Sequence, residues 1–157
     1  MNPNTIILDV QGFKDLYNNF IIKELAFATR EYTQTFLIKP PYQFTYLTRD
    51  EKRQVEWLEK NMGLHWSEGY IDYKEFQRMI VSYLENMNIY VKGSEKVKWI
   101  KDMCANCNVI ELHEDNCPKL SVLAKKYCDR KTIFNCNHHV KHCALRNVLC
   151  IKKFLNW

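Results

Sequence analysis

An α/β fold is what this sequence predicts: a mixed sheet of three antiparallel strands followed by two parallel ones, flanked by helices. Three extended apolar segments open the chain, and two of them are joined by short connections, which favours antiparallel pairing. Helix-period segments with start signals then alternate with short apolar runs, as in strands that carry helices packed on a sheet. The 157 residues, 46% hydrophobic and 13% aromatic, suit one core-forming domain over 1–157 and exclude disorder.

The opening segments are 5–10, 20–29 and 33–39, the last stopped by Pro40 and Pro41. The first carries Asp9 to its end. Thr48 with Glu51 three residues on is a capping box, and Val55, Leu58 and Met62 give the helix that follows an apolar stripe. Asp72 with Glu75 repeats the device ahead of Phe76, Met79, Ile80, Tyr83 and Leu84. Residues 88–91 read as a fourth strand. Gly93 and Ser94 then start a helix through Val97, Trp99, Ile100 and Met103, and 108–112 read as a fifth strand. Pro118 suits the first turn of a helix that runs to Tyr127. A last helix over 143–155 places Leu145, Val148, Leu149, Ile151 and Leu155 on its apolar side.

No stretch approaches the roughly 20 apolar residues of a membrane span, and the amino terminus lacks the features of a secretory leader, so an intracellular chain without a membrane role is expected. Seven cysteines are an odd number in a chain too long to need staples; thiols in a reducing compartment, some on metal, fit better than a disulfide framework. The net charge of +5 is unevenly placed. Residues 118–157 carry nine basic residues against one acid, Asp129, while the rest carries fourteen against seventeen. Lys125, Lys126, Arg130, Lys131 and Lys141 therefore lie in a positive field that attracts phosphates or an acidic protein surface. Lysines at helical spacing are equally well read as a solvated helix face.

Cys136-x2-His139-x3-Cys143 has the short ligand spacing of a zinc site, and Cys117 at the start of the preceding helix is the candidate fourth ligand. Four protein ligands leave no open position, so such a zinc is structural. His138 or His142 can replace His139, and the Cys104-x2-Cys107 pair competes as a half-site, although a helix end and a strand start favour packing of these thiols in the core. Cys150 reads as packing.

The order of elements resembles the ribonuclease-H-like fold, and the local sequences resemble the DnaQ-like exonuclease family over nearly the whole chain. Asp9-Val10-Gln11 sits where that family has Asp-x-Glu. Ile22-Lys23-Glu24-Leu25-Ala26 is similar to its second strand, and Phe36-Leu37-Ile38-Lys39-Pro40 to the end of its third. Met62-Gly63-Leu64-His65 resembles the short Gly-Ile-Thr-like element after the first helix. Residues 90–96 fall where a His-Asn-x-x-Phe-Asp motif would lie, and His142 to Asn147 matches the final His-x4-Asp in spacing. The family supplies four metal-binding carboxylates. By position this chain offers Asp9, Gln11, Lys96 and Asn147, one acid of four. If Glu95 is the equivalent in place of Lys96, a second acid survives.

Two-metal cleavage needs several carboxylates on divalent cations, and a lysine beside the last aspartate repels a cation. No metal-dependent exonuclease activity of the usual kind is expected, Asp9 is expected in a buried pair with Lys96, and His142, at the place of the family's general base, has no metal-activated water to deprotonate.

A fold of this kind that has lost its acids and gained a Cys/His site beside its last helix is similar to the Maelstrom domain of transposon-silencing proteins. That family carries a Glu-Cys-His-Cys set; Cys136, His139 and Cys143 resemble its last three members, and Cys117 in place of the glutamate is a departure. The resemblance implies single-stranded RNA binding and a part in small-RNA silencing, and it allows a weak metal-independent ribonuclease activity. Two further readings stand beside it: a zinc-stapled protein-interaction module presenting Tyr42, Phe44, Tyr46 and Trp66, aromatics that core or loop packing accounts for more readily, and a divergent metal-dependent nuclease. In the RNA reading, Tyr127 and Phe134 stack on bases.

Overall fold

The structure is a computed structural model that describes residues 4–127 and 143–157. Five strands form one mixed sheet in the order β3-β2-β1-β4-β5. β1 (Thr5–Lys14), β2 (Phe20–Ala28) and β3 (Thr33–Leu37) pair antiparallel, whereas β4 (Asn88–Val91) and β5 (Asn108–Glu111) run parallel to β1. Three antiparallel and two parallel strands are thus observed, flanked by helices. Among the described residues no helix is long and apolar enough to cross a membrane.

β1 runs four residues further than its apolar pattern predicts, so Asp9 lies inside the strand instead of at its end. The extension passes through an irregularity between Gln11 and Gly12, where the register against β2 shifts. Glycine is required there: a Cβ at Gly12 would stand 2.1 Å from the carbonyl oxygen of Ile21.

Alternation divides the sheet between two layers. Ile6, Leu8 and Val10 of β1 join Leu25 and Phe27 of β2 under α2 (Tyr73–Leu84) and α3 (Ser94–Met103), with Phe76, Ile80 and Ile100. Ile7 and the small side chains Ala26 and Ala28 face the other way, toward α4 (Leu120–Tyr127) and α5 (Ala144–Phe154). A third cluster, including Phe13, Leu37 and Val55, gathers under α1 (Arg49–Met62). The capping box of Thr48 and Glu51 is formed, and Asp72 accepts the Glu75 amide.

One observation differs from the expected free thiols, and another settles packing against presentation for two of the four aromatics. Cys104 and Cys107 are joined in a disulfide between the end of α3 and the start of β5, with Cys104 in the core. Trp66 is buried, not presented: its ring meets Phe13 and Tyr42, each at 5.5 Å between centroids, and its indole N–H donates to the Tyr42 carbonyl. Phe44 packs against the same cluster, so only Tyr42 and Tyr46 of that set are exposed.

Lys23 is fully buried in β2, its ammonium donating to the carbonyls of Ile38 and Glu68. Burial lowers its pKa to about 8, against the smaller opposing pull of Glu68 and Glu59. Below that value the lysine is protonated in both states and the desolvation penalty stands in full. Above about 10.5 it is neutral in both. Between the two the unfolded chain binds more protons, so stability rises with pH. Urea unfolding across this window should show wild type gaining up to about 3 kcal/mol over Lys23→Met; parallel curves for the two proteins would refute the assignment.

Candidate functional site

α5 lies over two acids that sit on one face of the sheet. The first is Asp9, fully buried, with Ala26 opposite it on β2. Lys96, in the first turn of α3, reaches it because the parallel strand β4 ends beside β1 and the chain turns directly into the helix. Its ammonium lies 2.6 Å from Asp9 Oδ1, and the Asn147 side-chain amide of α5 donates to Oδ2 at 2.8 Å. Both carboxylate oxygens are therefore engaged.

Three of the five positions matched to the exonuclease motifs, Asp9, Lys96 and Asn147, converge. Gln11 is half-buried on β1, opposite Glu24 of β2. Glu95 is drawn away from Asp9 into an ion pair with Lys14, so it adds no second acid to the group. One carboxylate held by one ammonium leaves no net charge for a divalent ion. At protein-like dielectric the ammonium opposes a cation by on the order of several kcal/mol.

The second acid is Glu24, 1% exposed. Its Oε1 accepts the amide N–H groups of Ala144 at 2.6 Å and Leu145 at 3.4 Å, and the Cys143 thiol at 3.6 Å. Cys143 is the N-cap residue of α5 and its side chain makes no cap hydrogen bond, so a carboxylate from β2 serves the start of the helix instead. Glu24 is not among the residues that motif and ligand spacing single out. A signal existed: two charged residues, Lys23 and Glu24, interrupt an apolar strand, and adjacent strand positions face opposite layers, so both had to be buried.

Cys117, expected as the fourth zinc ligand, packs among Leu112, Leu123, Ala144 and Val148, and burial pushes its thiol pKa up while Lys92 draws it down. Cys150 packs in the same cluster. Cys136, His139, His138 and His142 lie outside the described residues, as do Arg130, Lys131, Phe134 and Lys141. Among the described residues no three of His, Cys, Asp and Glu gather into a metal-binding group.

Lys125 and Lys126 are exposed in the last turn of α4, and Tyr127 is half-buried beside them. No protein-family model matches the chain, and no curated protein is significantly similar to it.

Proposed function

We propose that this chain is a catalytically silent member of the ribonuclease-H-like, DnaQ-related group, braced by a structural zinc and binding single-stranded RNA. The observation that carries the reading is Asp9, buried with one oxygen on Lys96 and the other on Asn147. In the exonuclease family that the motifs resemble, the three matched positions hold metal-binding acids. Here they form a neutral polar cluster that satisfies itself.

One contact supports the reading in which the chain is similar to the Maelstrom domain. Glu24 meets Cys143 with 3.6 Å between oxygen and sulfur, and an oxygen and a sulfur ligand on one tetrahedral zinc stand about 3.5 Å apart. In this reading Glu24, Cys136, His139 and Cys143 hold the metal, and Cys117 is a packing residue. Four protein ligands make the zinc a clamp on the start of α5. Lys125 and Lys126, with the basic residues of 128–142, supply the phosphate contacts.

Elemental analysis of the purified protein should find one zinc per chain, lost in His139→Ala, and a manganese-supplemented assay should leave single-stranded RNA intact. Degradation that needs manganese and vanishes in Asp9→Ala would replace this reading with the divergent nuclease. Zinc without RNA binding, together with a defined partner recovered free of nucleic acid, would replace it with the protein-interaction module.

A further inference from the structure

The last turns of α4 and α5 meet around a ring. Tyr127 has the ammonium groups of Lys126 and Lys153 at 5.3 and 5.6 Å from its centroid, one from each helix. Next to Lys153, Lys152 donates to the Arg30 carbonyl at 3.2 Å and so ties the turn after β2 to the end of α5. The Arg30 guanidinium in turn lies 5.8 Å from the ring of Trp157, whose other neighbour is Tyr90, edge-on at 6.4 Å. A continuous belt results: Lys126, Tyr127, Lys153, Lys152, Arg30 and Trp157.

Helix dipoles account for part of it, since lysines in a last turn face the negative end of a helix. They do not account for Arg30, which comes from another segment, nor for the two partly exposed rings. Among the described residues no carboxylate lies within ion-pair distance of Lys125, Lys126, Lys152 or Lys153. The cations of this end repel one another, and an anionic partner would relieve that repulsion.

We infer that this belt is the site for a single strand of nucleic acid, with Tyr127 and Trp157 as stacking platforms and Lys126, Lys152, Lys153 and Arg30 on the phosphates. Aromatic faces interleaved with cations are what a base-and-phosphate polymer requires, whereas an acidic protein needs the cations alone. The inference rests on the RNA reading given above and extends its contact surface from Lys126 and Tyr127 to Arg30, Lys152, Lys153 and Trp157, which that reading did not assign.

A fluorescein-labelled uridylate dodecamer tests it by anisotropy across a salt series. Lys126→Gln/Lys153→Gln should weaken binding at least tenfold and reduce the slope of log affinity against log salt by about 1.4, two single-strand phosphate contacts. Lys60→Gln/Lys74→Gln, exposed on α1 and α2, should change neither. Trp157→Leu should weaken the uridylate strand several-fold and leave an abasic strand of equal length unaffected. Wild-type binding whose affinity and slope survive the Lys126/Lys153 change would overturn this site and leave RNA binding standing. Absence of wild-type binding even at low salt would remove both. Equal affinity for uridylate, the abasic strand and polyglutamate would also overturn it, in favour of an acidic protein partner.

Discussion

Glu24→Ala is expected to cost about 3–5 kcal/mol of folding stability. The side chain is buried, and it satisfies two amide N–H groups in the first turn of α5 that nothing else from Cys143's side chain caps. Truncation takes away the acceptor of those donors, and removes a negative charge from the positive end of a helix. Glu24→Gln keeps an oxygen acceptor and the volume, so a smaller loss, about 1–2 kcal/mol, should follow. Urea unfolding with and without a chelator separates the two contributions of this residue. The capping loss persists in chelator, while any loss through bound zinc disappears there. A loss below about 1 kcal/mol for Glu24→Ala in chelator would show that the cap is dispensable.

Lys96→Ala should destabilise by a similar amount, about 3–5 kcal/mol, because it strands a buried carboxylate. Asp9 has no solvent access, and Asn147 alone supplies one hydrogen bond and no charge. The control is the double change Asp9→Asn/Lys96→Met, which removes both charges and keeps the volume. It should lie within about 1.5 kcal/mol of wild type. With the single changes Asp9→Asn and Lys96→Met, the cycle isolates the coupling between the two residues. Additive single effects would mean that Lys96 contributes by packing its alkyl chain alone, and the neutral-cluster account of the site would fail.

Much of the fold was legible because its signals are local. The capping pairs at Thr48 and Asp72, the β-rich runs and the apolar stripes each depend on residues within a turn or two of one another, and the helices and strands follow them closely. The Asp9–Lys96 pair was also legible, since a resemblance between motifs brings distant residues together. What escaped depends on contacts without a local pattern. Glu24 meets Ala144 across 120 residues, and only the packing of α5 on the sheet defines that contact. The Cys104–Cys107 spacing serves a metal half-site and a disulfide equally well, and Trp66 lies in a segment with no periodicity to reveal its burial. The extension of β1 turns on one close approach at Gly12, which an apolar pattern does not record.

The buried aspartate has a consequence for how the central strand finds its partners. β1 has neighbours on both edges, and apolar residues at 6, 7, 8 and 10 make either face acceptable to an oily layer. A slip of one residue would carry Asp9 to the side of Leu8 and Val10, among Phe76, Ile80 and Ile100, with no ammonium to receive it. The carboxylate thereby distinguishes the correct alignment from its nearest competitor, a role in folding accuracy that needs no chemistry at the site.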